Sequence, residues 1–184
     1  MHKIALACIL SSLLVFPSLT NFALVPQADA ATVDYFLKID GVDGESTDSK
    51  HKNWIDIDSY SFGATQTASS GGGGGAGKVK ISDIMLTKTI DKASPKLFLA
   101  TATGEHLKKV ELVLVKSGQE YMKWTFTDVM VSSYQVGGSG DVVPTDQISL
   151  NFAKVEFEYR SQKADGTLDT PVKGGWDVKA NKKV

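Results

Sequence analysis

From residue 33 onward, apolar and polar side chains alternate with a period of two in one segment after another. That period marks strands with one buried face, because successive side chains of an extended chain point to opposite sides. Val33, Tyr35, Leu37 and Ile39 share one face of a first predicted strand, which the turn residues Asp40-Gly41-Val42-Asp43-Gly44 end. Ile55 and Ile57 face one way while Tyr60 and Phe62 have the opposite parity, so a bulge or bend is predicted at Asp58-Ser59. Residues 78–89 read as a strand, and 109–116 as another with Val110, Leu112 and Leu114 in register. Met122, Trp124 and Phe126 line a strand that continues to Val131. Ile148, Leu150 and Phe152 line the next; parity then passes to Val155, Phe157 and Tyr159, which predicts a second bulge near Ala153. Trp176 and Val178 suggest a closing strand.

One segment breaks the period. Ser94 as cap, Pro95 at the first helical position, Leu97, Phe98, Ala100 and Ala102 within residues 96–103, and Gly104 as the stop predict a single short helix. Strands at this spacing with one helix imply a mainly β fold, a closed or nearly closed antiparallel barrel or sandwich.

The first thirty residues follow a different pattern. His2 and Lys3 give a short basic start, residues 4–16 are mostly apolar, and Ala28-Asp29-Ala30 is a small-residue cleavage site with Ala31 after it. This reads as a secretory signal peptide cut between Ala30 and Ala31. Its apolar core is too short, and Pro17 and Pro26 follow too soon, for a stable membrane span. Residues 31–184 then form one domain, secreted or periplasmic. The only cysteine, Cys8, lies in the leader, so the mature chain relies on packing or assembly instead of disulfides. A formal net charge of -1 with interspersed signs gives no electrostatic footprint for nucleic acid or a membrane surface. The basic tail at residues 179–183 reads as a solvated terminus.

Candidate chemistry is sparse. The run Gly71, Gly72, Gly73, Gly74, Gly75, Ala76, Gly77, Lys78 has the glycine and lysine spacing of a phosphate-binding loop. Val79 stands where that loop needs a magnesium-ligating hydroxyl, and the following residues alternate like a strand instead of opening a helix. A nucleotide site is therefore not expected. His51 and His106 are too far apart for a local metal site and read as surface residues. The acidic stretch at residues 40–45 puts Val42 and Gly44 where a calcium loop needs oxygen ligands, so it reads as a turn. Asp56 and Asp58 would share a strand face with Cα atoms about 6.6 to 6.8 Å apart, within reach of a carboxylate pair, but blocking an exposed strand edge accounts for them better. The chain has no Gly-x-Ser-x-Gly elbow or His-Glu-x-x-His helix, and Trp54, Trp124 and Trp176 sit in core-like contexts. No cofactor, metal or enzymatic activity is expected.

The order and spacing of several motifs carry a specific likeness. They are Tyr35-Phe36-Leu37-Lys38-Ile39-Asp40-Gly41-Val42, Gly44-Glu45-Ser46, Tyr60-Ser61-Phe62-Gly63, the glycine run, Asp91-Lys92-Ala93-Ser94-Pro95, Asn151-Phe152-Ala153-Lys154-Val155, Gln162-Lys163-Ala164-Asp165-Gly166 and Gly175-Trp176-Asp177. The chain resembles the Hcp family, the hemolysin-coregulated proteins that build the inner tube of type VI secretion systems. The resemblance implies a β-barrel or two-sheet protomer with one short α-helix, closing into a homohexameric ring. Such rings stack head to tail and carry effectors in the lumen. It further implies that Gly71 to Gly75 form a loop at ring contacts and that Ser61 faces the lumen as a cargo contact. The leader distinguishes this chain from the usual family pattern and points to a family member diverted to export. The alternative is a monomeric secreted β-barrel that binds a protein or glycan.

Overall fold

The computed structural model of the chain describes residues 32–66 and 78–184. The predicted leader with its expected Ala30/Ala31 junction, and the run Gly71 to Gly75, lie outside the described residues. In chain order the elements are β1 Val33–Ile39, β2 Ile55–Ile57, β3 Ser59–Ser61, β4 Ala64–Gln66, β5 Val79–Ile81, β6 Ile84–Thr89, α1 Ser94–Thr103, β7 His106–Lys116, β8 Gln119–Gly137, β9 Thr145–Tyr159, β10 Val172–Asp177 and β11 Lys182–Lys183.

All the pairings are antiparallel, and the main sheet runs β11-β10-β9-β8-β7-β1-β2, with β6 on the first half of β9 and β3 on β6. The bend expected at Asp58 closes this sheet. Ile57 ends the ladder with β1 opposite Tyr35. The Asp58 amide then donates to the Thr87 carbonyl at 2.8 Å, and Ser59 pairs with Thr87. One residue thus transfers the chain from β1 to β6, so β1, β7, β8, β9, β6 and β3 enclose a barrel.

The inward parity of each strand fills it. Leu37, Ile55, Ile84, Leu86, Val110, Leu112, Phe126, Val129, Ile148 and Leu150 are buried in one cluster. Each such side chain contributes about 1.5–3 kcal/mol relative to leaving it in water. Helix α1 adds Leu97 and Ala100 to this core and leaves Phe98 and Leu99 in solvent. Gly104 ends it in the left-handed region, φ 67°, with its amide on the Ala100 carbonyl. Among the described residues no helix is long and apolar enough to cross a membrane.

Four sequence expectations change. Residues 78–89 are two strands instead of one: β5 pairs with β4 in a separate hairpin, and β6 belongs to the barrel. The break falls at Ser82, whose amide donates to the Gly63 carbonyl at 2.9 Å and whose hydroxyl accepts from the Gly63 amide. The parity change near Ala153 is real, with Phe152 and Val155 both buried, but it is not a bulge in β9. Pairing stays in register there, Thr127 opposite Lys154 and Val129 opposite Phe152. The neighbouring strands change parity in step: Phe126 and Val129 are both buried, as are Leu107 and Val110, and Asp128 takes φ 53°. The register slip between β8 and β9 lies instead between Val131 and Ser133.

Ser94 does not cap the helix. It is the first helical residue, and its hydroxyl turns inward, leaving the Asp91 carboxylate to accept the Ala93 amide at 2.9 Å. Gly44 is more than a turn residue: a Cβ there would lie 2.2 Å from the Trp54 carbonyl oxygen, so only glycine admits the close passage of residues 43–46 along 53–55.

Candidate assembly and cargo surfaces

The outward parity of the barrel strands makes two unlike faces. On the first, cross-strand rows run Ser61, Met85, Ser149, Ser133 and Ser59, Thr87, Gln147, Gln135 across β3, β6, β9 and β8. These residues surround a shallow depression of about 170 Å³ that carries no charged side chain. Met85 is 55 % exposed at its centre. Ser61, expected at the lumen, is exposed on this face.

The second face lies on β7, the first half of β8, the second half of β9, and β10. Val113, Lys123, Glu158 and Lys173 form one row, and Glu111, Thr125, Glu156 and Gly175 the next. Glu111 accepts from Lys123 at 2.7 Å and Lys109 at 2.9 Å. Glu158 takes Arg160 and Lys173, each at 2.8 Å. Burial alone would raise the Glu111 carboxyl, but its two lysines outweigh that and hold it below the usual range. Hydrogen bonds from Lys173 and Arg160 lower Glu158 as well.

Behind the neutral face sits a buried ionic cluster. Lys88 on β6 and Asp146 on β9 are both fully buried and lie 3.0 Å apart. Lys88 also donates to Asp91 Oδ1 at 2.6 Å, Ser94 Oγ at 2.9 Å and the Thr89 carbonyl at 3.0 Å. Asp146 accepts from Ser94 Oγ and, at 2.9 Å, from Tyr134 Oη. Burial first, and then the hydrogen bond to Asp146 and its charge, push the Tyr134 hydroxyl up to about 12. Every polar atom is matched here, so the cluster pins the start of α1 to the barrel. Its chemistry is structural, with the ammonium fully engaged by acceptors.

His51 is not the surface residue expected. It is buried, its ring stacked on Phe36 at 4.4 Å, with Nδ1 2.6 Å from Asp48 and Nε2 3.1 Å from Glu120. The bond to His51 lowers the Asp48 carboxyl. Here the histidine fastens residues 46–54 to the start of β8. His106 is exposed as expected, 2.7 Å from Asp128. Asp58 accepts the Thr89 hydroxyl at 3.3 Å, which ties it to the end of β6. Trp124 stacks on Phe157 at 4.2 Å beside Phe62 and Phe126, half-buried within the barrel wall. Among the described residues no group of three or more His, Cys, Asp or Glu side chains gathers as a metal site.

The comparisons agree with this architecture. The family profile described as "Type VI secretion system effector, Hcp" matches residues 36–159. Protein hcp1 of Pseudomonas aeruginosa is 45 % identical over 157 residues, covering 81 % of this chain and 97 % of that protein. The chain belongs to the Hcp family. Among solved structures, Hcp1 of Salmonella typhimurium superposes with a TM-score of 0.70 at 38 % identity, over 83 % of this chain and 99 % of that one. A type six secretion system protein gives 0.78 at 35 % identity, over 83 % and 100 %. The Hcp membership and the mainly β antiparallel fold expected from the sequence are thereby established.

Sequence reasoning picked out Ser61 from the resemblance but missed its neighbours. Met85, Thr87, Gln147 and Ser149 were marked only by holding the parity opposite to Leu86, Ile148 and Leu150. The buried charges also had a signal, since Lys88 continues the inward series Ile84 and Leu86, and Asp146 begins that of Ile148 and Leu150.

Proposed function

We propose that this chain is a structural subunit of a type VI secretion inner tube, assembling with copies of itself into a six-membered ring that carries effectors in its lumen. The observation that carries this reading is the closed barrel whose outer wall carries a depression free of charged side chains, in a chain that matches the Hcp profile over most of its described residues. A lumen wall that must pass varied cargo gains from such a face, because it neither repels nor traps charged proteins. Ser61 lies within it and serves as a cargo contact. Gly71 to Gly75, which fall between β4 and β5 in sequence, form a contact between neighbouring subunits, where glycine admits close backbone approach. The leader is removed between Ala30 and Ala31, which gives the subunit a Sec route out of the cytoplasm; N-terminal sequencing of the exported chain would begin at Ala31.

Imaging the purified chain by negative-stain electron microscopy tests the ring. Annular particles with six-fold symmetry are expected, and Gly74→Trp should abolish them while leaving the barrel's β-sheet circular dichroism unchanged. Single globular particles from the unmodified chain would sink the reading.

A further inference from the structure

Two apolar features occupy opposite ends of the β8 and β9 hairpin. At its turn, Val142 and Val143 are 71 % and 62 % exposed. The turn is braced from within, Val142 donating its amide to the Gly140 carbonyl at 2.7 Å, with Asp141 held at φ 57°. It is a preformed knob of two valines with a carboxylate beside them. Exposed Ile90 joins it, donating its amide to the Pro144 carbonyl at 3.1 Å.

At the other end, where β8 begins and β9 ends, lies a cleft of about 220 Å³. Val33, Tyr121, Tyr159 and Leu168 line it together with Lys116, Gln162 and Arg160, whose guanidinium is already held by Glu158 at 2.8 Å. Tyr121 and Tyr159 meet edge to face at 6.4 Å, which fixes the shape of the wall. Val172, 72 % exposed and directly opposite Tyr159 in the β9 and β10 ladder, extends the apolar surface. The cleft is thus concave, mainly apolar and carries the Lys116 ammonium, whereas the knob is convex, apolar and carries a negative charge.

A protomer cannot satisfy its own cleft. Tyr121 and Val136 are fifteen residues apart on β8, a span of about 50 Å at about 3.3 Å per residue. Left open, both ends expose apolar groups of a kind that mark interaction sites. We propose that residues 141–143 of one copy seat in the Val33, Tyr121, Tyr159 and Leu168 cleft of a second copy, with Asp141 facing Lys116. The two surfaces differ, so the contact is heterologous and repeats head to tail. The assignment rests on the self-assembly reading above and names the surfaces through which consecutive copies meet.

Disulfide trapping tests it. In a Cys8→Ser background, Val143→Cys and Leu168→Cys are introduced together and the protein is oxidised mildly before a non-reducing gel. A ladder that climbs past the dimer is expected, while either cysteine alone gives dimers at most. A ladder ending at six places the contact within a ring and one running beyond six places it between rings; both contain the contact. Adding Asp141→Lys should cut the ladder about tenfold, and Lys116→Asp on top of it should restore the yield, a rescue that general unfolding would not show. Light scattering of the unoxidised double variant separates the two ideas. A sixfold mass without a ladder overturns this contact alone, and a monomeric mass overturns the ring reading beneath it.

Discussion

The same two strands, β8 and β9, present two outer faces built on opposite rules. Along the second half of β9 every outward residue is charged, Lys154, Glu156 and Glu158, and the cations and carboxylates of that face pair with one another inside the protomer. Along the first half the outward residues are Thr145, Gln147, Ser149 and Asn151, uncharged themselves although Asn151 donates to the Asp83 carboxylate at 2.8 Å, and the inward one at the end is the buried Asp146. The chain therefore puts its ion pairs outside where the core behind is aromatic and aliphatic, and buries Lys88 and Asp146 behind the depression that has no charged side chain. The difference teaches which surface is finished. The charged face satisfies its own groups and helps to hold the sheet, whereas the neutral face contributes little to stability and remains available to something else.

The largest expected break in this contrast comes from beneath the neutral face. Lys88→Met leaves Asp146 buried without its cation, at a cost of about 3–5 kcal/mol. Calorimetry should show the melting point falling by roughly 10 °C, at about 2–4 °C per kcal/mol for a domain of this size. Removing the charge altogether in Lys88→Met with Asp146→Leu should recover most of that loss. Were the single variant as stable as the parent, the cluster would not pin α1.

Gly44→Ala comes next. Its Cβ would overlap the Trp54 carbonyl and the Ile55 backbone, neither of which is a flexible side chain. A loss of about 2–3 kcal/mol in urea titration is expected.

On the charged face the effects are smaller. Glu111→Gln removes the charge that Lys109 and Lys123 share; because both lysines are part-exposed, the loss is about 1 kcal/mol. The pH dependence has a definite sign. The Glu111 carboxyl is lowered in the fold, so its contribution is complete above the unfolded value of about 4.3 and disappears as pH falls through the lower folded value. The stability gap between parent and Glu111→Gln should therefore be steady at neutral pH and close below about pH 4. A gap that persists at pH 3 would mean that geometry, not charge, links these strands.

The smallest change is expected at the neutral face itself. Ser61→Arg projects from an exposed strand position and should alter the urea midpoint by no more than about 0.5 kcal/mol. A loss as large as that of Glu111→Gln would erase the contrast between the two faces.

Much of the barrel was legible in its alternation. Val33 to Ile39, the bend at Asp58 and the helix between Pro95 and Gly104 follow from parity and from residues with fixed conformational preferences. What escaped depends on pairing, which a single strand does not encode. Residues 78–89 alternate without interruption, yet Ser82 is captured by Gly63 and divides them between two sheets. The parity change at Ala153 is shared by three strands, so no local bulge was needed. His51 read as a surface residue because the Asp48 and Glu120 that hold it converge only in the fold. The two faces were hidden for the same reason. Outward parity was readable on each strand, but that Ser61, Met85, Ser149 and Ser133 form one row required the order β3, β6, β9, β8.

The mass of the purified chain in solution, measured by light scattering coupled to size exclusion, tests the central claim most directly. Six times the protomer mass, or an integral multiple of that for stacked rings, is the expected result. A monomer persisting at high micromolar concentration would contradict it and leave the neutral face as the surface of a solitary barrel.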